Sequence, residues 1–170
     1  MVNKIIFTFI STSWIWVVYG IEQEWTLPYS NPILSAVVLI LAPVLFTLLW
    51  LAVAGNVLSV DNINGGCQDI EESQNDFLAD YLGYFFIGIG VEDVSILFLM
   101  YFIIYIFTFT SQSKLFNPLL LLLGYKYYNI TTLEGTKLFL ISRKNFRNAS
   151  EVDLNGLRRI TNMSYIDVMR

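Results

Sequence analysis

Six basic side chains in the last third of the chain, Lys126, Arg143, Lys144, Arg147, Arg158 and Arg159, are the groups best suited to bind something. Ammonium and guanidinium groups recognise phosphate and carboxylate. Their partner is then an anionic lipid surface, a phosphate ligand or an acidic soluble protein. Beside an anionic leaflet each basic residue contributes roughly 1 kcal/mol, which makes inner-leaflet lipid the plain reading. The tail lacks an interleaved base-reading pattern, so direct nucleic-acid binding is not expected.

Groups of opposite sign precede them. Asp69, Glu71, Glu72 and Asp76 lie in the stretch DNINGGCQDIEESQND, Asp61 to Asp76, which reads as an acidic loop turning at Gly65 and Gly66. It is either a solvated linker or a contact strip for a basic partner, the protein's own tail included. Asp80 stands alone among apolar neighbours. An ionisable group inside a span is a candidate ion-path or pairing residue. Only about one turn inside its helix, Asp80 is read as a helix-start carboxylate that water reaches, in preference to a proton relay.

Enzymatic chemistry has little to work with. The chain has no histidine, the commonest general base and zinc ligand, and Cys67 is its single cysteine, so no intrachain disulfide forms. No nucleophile and base stand in a recognisable constellation. The protein is therefore read as non-enzymatic, with no catalytic residue, metal or cofactor.

The elements that must position these groups follow from the charge distribution. From Ile5 to Ser113 there is no Lys, Arg or His, and nine of the ten basic residues lie at or beyond Lys114. With 55% hydrophobic residues and a mean hydropathy of +0.58, the chain is too apolar for an ordinary soluble domain. Backbone in lipid must satisfy its own hydrogen bonds, and the apolar runs are too long and too continuous for barrel strands. The fold class expected is an α-helical integral membrane protein: a four-helix transmembrane domain over residues 1–113, then a small cytoplasmic β-rich domain over 114–170.

The spans expected are 5–20, 33–60, 77–91 and 94–110. The first competes with a signal peptide, but no convincing small-x-small cleavage site follows it. The second contains Pro43, which membrane helices tolerate. The third is short and could be re-entrant, yet Lys4 and the basic tail both belong inside by the positive-inside bias, which requires an even number of crossings. Both termini are thus expected in the cytoplasm, with the acidic loop facing the basic tail.

Within the tail, Pro118 opens a short apolar helix whose five leucines, Leu119 to Leu123, are expected on the bilayer surface or against a neighbouring subunit. Tyr125 to Thr131 and Thr136 to Ser142 read as a β-hairpin, with a third strand near Ser164 to Val168. Ser150 to Arg159 reads as a helix interrupted by Gly156. So small a sheet needs to dock on the helices or on a second copy.

This order of parts, with a tail reading NPLLLLLGYKYYNI (Asn117 to Ile130) and LFLISRK (Leu138 to Lys144), resembles the KwaA family, the membrane subunit of the Kiwa antiphage defence system. The resemblance implies an inner-membrane sensor and scaffold that forms a homo-oligomer, a tetramer in the family. It also implies a soluble DNA-binding partner, the KwaB subunit. Phage attachment or injection at the envelope would thereby be coupled to suppression of phage DNA replication and transcription. A small channel or membrane-depolarising effector is the alternative that the aromatic, glycine-containing spans leave open.

Overall fold

Hydroxyl and amide side chains mark where the helices start and falter. The computed structural model describes residues 2–63, 65–110 and 116–168. Helices α1 (Val2–Thr12) and α2 (Trp14–Glu22) form one rod interrupted at Ser13. Ser11, Thr12 and Ser13 donate to the carbonyls of Phe7, Thr8 and Ile10 at 2.9, 2.9 and 2.6 Å, and such back-bonding competes with the helical ladder. Helix α3 (Pro32–Val57) is capped by Asn31, whose side chain accepts from Leu34 N at 2.7 Å, and Pro32 occupies its first turn. Pro43 sits inside α3 without ending it. Helix α4 (Leu78–Gly90) follows a 3-10 turn over Gln74–Phe77. Helix α5 (Val94–Thr110) begins after Asp93, whose carboxylate accepts from Ser95 N at 2.6 Å.

Consecutive rods run in opposite directions. At one end the Tyr105 hydroxyl donates to the Ile5 carbonyl and the Lys4 ammonium lies 4.9 Å above the Phe109 ring. At the other, the Tyr19 hydroxyl donates to the Glu92 carbonyl at 3.1 Å, and Gly20 lies against Leu39 of α3. Two rods, Asn3–Glu22 and Pro32–Val57, are long and apolar enough to cross a membrane. With 17 and 13 residues, α5 and α4 reach about 26 and 20 Å, short of a hydrocarbon core of roughly 30 Å. By length and composition, two of the four expected spans therefore qualify.

Beside the helices lies a six-stranded mixed sheet of order β1-β5-β6-β4-β3-β2. Its strands are β1 (Val60–Asp61), β2 (Cys67–Glu72), β3 (Lys126–Thr132), β4 (Lys137–Ser142), β5 (Leu157–Arg159) and β6 (Ser164–Ile166). The expected hairpin is β3–β4, antiparallel from Lys126 opposite Ser142 to Thr131 opposite Lys137. The expected third strand is β6, which pairs parallel to β4.

Two expectations about secondary structure are corrected. The stretch 61–76 is not a loop, because it supplies strands at both edges of the sheet, Val60–Asp61 on β5 and Cys67–Glu72 on β3. Its apolar members Ile63, Cys67 and Ile70 pack on the sheet while its carboxylates stay outside, and edge strands tolerate charge in that way. The stretch 150–159 is not a helix. Ala149–Glu151 makes a single 3-10 turn, Val152 and Leu154 alternate onto the sheet, and Gly156 at φ +73° turns the chain into β5. A left-handed residue there is incompatible with a continuing helix.

Alternation along the strands divides two cores. Tyr127, Phe139, Ile141 and Ile166 point to the helices, where they meet Phe7, Trp50, Phe77 and Phe116. Tyr128, Ile130, Leu138, Leu140 and Tyr165 point away and are covered by Val152, Leu154 and Leu157. Leu119 and Leu120 of helix α6 (Pro118–Leu122) are buried in the helix–sheet core, whereas Leu122 is 80% exposed. The leucine run thus serves first to dock the sheet on its own helices, which corrects its expected placement on an outside surface.

Candidate functional site

Strand pairing distributes the six basic residues into two groups. Lys126 bridges to Glu72 at 3.1 Å and donates to Asn145 Oδ1 at 3.1 Å. Next to its partner strand, the Arg143 guanidinium stacks 4.6 Å over the Tyr125 ring, and Lys144 bridges to Asp167 at 3.1 Å. Burial pushes the Tyr125 hydroxyl's pKa up, and the nearby Arg143 charge partly offsets that. Arg147 is exposed, and its backbone N–H donates to Glu151 at 2.9 Å. On β5, Arg158 donates to the Leu58 carbonyl at 2.9 Å, where a cation offsets the negative end of α3. Arg159 faces Asp61 at a looser 3.7 Å.

The acidic residues divide similarly. Asp69 and Glu71 line an open cavity of about 430 Å³ on the sheet with Asn129, Thr131 and Lys137. Glu72 holds Lys126, and Asp76 lies in the 3-10 turn before α4. Asp80 is in the first turn of α4, and its side chain lies outside the described residues. Among the described residues no three His, Cys, Asp or Glu side chains gather to hold a metal ion.

Where helices and sheet join, polar groups form a buried lock. Asn117, fully buried, precedes Pro118 and caps α6 by accepting from Leu119 N at 3.0 Å. Its amide donates to Thr47 of α3 at 3.2 Å, and Thr47 donates to the Pro43 carbonyl at 2.8 Å. The Tyr127 hydroxyl donates to the Asn117 carbonyl at 2.7 Å and accepts the Asn117 N–H at 3.0 Å. Around it Phe77 and Phe116 stack at 4.3 Å, and Phe116 meets Tyr127 at 4.5 Å. Burial raises the Tyr127 pKa far above the ordinary tyrosine value. A shift of the sheet against α3 would have to break these hydrogen bonds.

The family model for the anti-phage protein KwaA matches residues 3–166, nearly the whole chain. The chain belongs to the KwaA family. No curated protein and no solved structure matches it. Membership makes this an antiphage defence protein, and it agrees with the resemblance carried by the NPLLLLLGYKYYNI stretch. Asn117 and Tyr127 of the lock fall within that stretch.

In this KwaA-family chain the helical layer is apolar outside and partly polar inside. Thr8, Ser11, Thr12, Ser35 and Thr47 are all buried, while Ile33, Leu45, Leu49, Val57 and Phe107 are more than half exposed. Close packing within the layer depends on Gly88, where an added Cβ would stand 2.8 Å from Val18.

Sequence reasoning did not single out Thr47, Asn117 or Tyr127, nor the bridging partners Asp61 and Asp167. The Asn117-Pro118 pair carried a helix-start signal. Nothing in the residue order announced that its amide would meet α3, 70 positions away.

Proposed function

We propose that this KwaA-family protein is an inner-membrane sensor and scaffold that holds a soluble DNA-binding effector on its sheet. The observation that carries the membrane part is the outward apolar surface. Helix α3 turns Ile33, Leu45, Leu49 and Val57 outward and Ser35 and Thr47 inward. In water that arrangement exposes a large contiguous apolar face, a feature of surfaces meant for lipid or for other subunits.

The placement of Lys4 supports an even number of crossings. Lys4 lines the same cavity as Arg159 and Asn162, so the amino-terminal cation and the sheet share one side of the helical layer. That side would be cytoplasmic by the positive-inside bias. The shorter rods α4 and α5, about 10 and 4 Å short of the hydrocarbon core, would cross where the bilayer thins around an oligomer, at a fraction of a kcal/mol per ångström of mismatch. The proposed docking surface for the effector is the solvent side of the sheet around Arg143 and Arg147, which hold no carboxylate bridge among the described residues. Electrostatic complementarity would favour an acidic patch on that partner. The scaffold acts without catalysis: a disturbance at the outer ends of the helices reaches the sheet through the Thr47–Asn117–Tyr127 lock.

A tagged protein expressed with its genomic neighbours tests both parts. The expected result is recovery in alkali-washed membranes together with a soluble DNA-binding protein, the latter weakened by R143E/R147E. Recovery in the soluble fraction refutes the membrane reading, and a membrane-bound protein that retains no soluble partner under phage challenge refutes the scaffold reading. Collapse of membrane potential on overexpression alone would favour a depolarising effector.

A further inference from the structure

A polar cavity of about 740 Å³ opens where the helical layer meets the sheet, lined by Asn3, Lys4, Ser59, Arg159, Thr161 and Asn162. Two of these are cations from opposite ends of the sequence. The Lys4 ammonium has no carboxylate partner among the described residues and rests over the Phe109 ring. Arg159 is held by Asp61 at 3.7 Å, longer than the 3.1 Å of the Lys126–Glu72 and Lys144–Asp167 bridges. The hydroxyl and amide side chains around them donate hydrogen bonds in the way a phosphate oxygen requires. The carbonyl end of α3, which would repel an anion, is covered by the Arg158 guanidinium at Leu58.

Beside this cavity runs a second, of about 440 Å³, and Asn3 lines both. Its walls are apolar, with Ile6, Phe9, Phe46, Leu49 and Val53 drawn from α1 and α3. A cationic, hydroxyl-lined chamber that continues into an apolar groove along two helices matches one amphipathic shape. We propose that the junction binds an anionic phospholipid, with the phosphodiester headgroup between Lys4 and Arg159 and an acyl chain in the groove between α1 and α3. Basic pockets at the cytoplasmic end of membrane helices serve headgroups in this way. The site rests on the membrane reading above and deepens it, because it ties the sheet and the amino-terminal helix to the leaflet through one ligand.

Wild-type protein in nanodiscs containing phosphatidylglycerol or only phosphatidylcholine provides the test, with bound lipid counted by native mass spectrometry. Phosphatidylglycerol is expected to be retained selectively. K4Q should weaken that selectivity about fivefold and K4Q/R159Q about thirtyfold, the factors given by one and two basic residues at a leaflet. The charge-matched K137Q, on the far part of the hairpin, should leave it unchanged. V53W, which fills the groove, should reduce lipid retention with both cations present. Circular dichroism checks folding, and K4Q alone carries the test if the double variant misfolds, since Lys4 holds no ion pair among the described residues. Three results overturn the proposal: no preference for phosphatidylglycerol, equal losses in K4Q and K137Q, or inorganic phosphate competing fully while V53W has no effect. Efficient incorporation into the nanodiscs in any of these cases leaves the membrane reading standing, and failure to incorporate removes that reading itself.

Discussion

Tyr127 and Tyr128 are neighbours on one strand with opposite tasks, and replacing each by phenylalanine isolates the lock. In Y127F, Asn117 loses the acceptor of its N–H, at 3.0 Å, and the donor to its carbonyl, at 2.7 Å. The carbonyl keeps Leu120 N at 3.0 Å. The N–H, in a residue with no exposed surface, has no replacement. An orphaned buried donor costs about 1–3 kcal/mol and the lost hydrogen bond about 1 kcal/mol more, which puts Y127F at about 2–4 kcal/mol destabilised. In Y128F the hydroxyl lost had donated to the Lys144 carbonyl at 3.1 Å and accepted Phe146 N at 3.4 Å in a partly open site. Water can take over there, and the loss should be about 0.5–1 kcal/mol. Equilibrium unfolding in mixed micelles gives the two values, and hydrogen exchange at β3 shows whether the sheet loosens from the helices. Equal losses for the two variants, or unchanged exchange in Y127F, would refute the claim that this hydroxyl ties sheet to helix.

The same residue predicts a pH response. Burial raises its folded pKa, so its contribution is intact below the unfolded tyrosine value of about 10 and declines as pH rises beyond it, by about 1.4 kcal/mol per unit; unfolding midpoints at pH 9 to 11 should fall less steeply in Y127F than in the wild type. Gly88→Ala, with its Cβ 2.8 Å from Val18, should destabilise by about 1–3 kcal/mol, whereas Gly83→Ala, which meets nothing within 4 Å, should be neutral or stabilising by up to about 1 kcal/mol. Comparing the two melting temperatures decides it. Leu120→Asp, at a fully buried position, should abolish accumulation of folded protein, while Leu122→Asp, at an 80% exposed one, should remain folded unless that face contacts lipid or another subunit. Size-exclusion profiles of the fluorescently tagged variants separate these outcomes.

Local pattern was enough for elements whose partners lie close in sequence. The hairpin of Lys126–Thr132 and Lys137–Ser142 follows from two aromatic and β-branched runs around Gly135, and α5 from an unbroken apolar run after Asp93. The edge strands were not legible for a related reason. The run Cys67 to Glu72 is charged and shows no strict alternation, and it becomes a strand because β3 offers it a row of unpaired backbone groups. Likewise Val152 and Leu154 sit in a stretch that scans as helix until the sheet's second face demands cover.

Composition and charge order by themselves determined that this chain has an apolar, cation-free half and a basic tail, because those are sums over residues and need no geometry. Pairwise chemistry was decided only by the tertiary structure. Charge alone shows that Asp61 and Glu72 are available, yet β pairing across 98 and 54 positions is what sets them on Arg159 and Lys126. It also converted the acidic stretch from a linker into the two edges of the sheet. Side chains meet by strand register and helix contact, and both depend on backbone partners distant in sequence. That is why the lock at Asn117 and the Lys4–Arg159 cavity appear only in the folded chain.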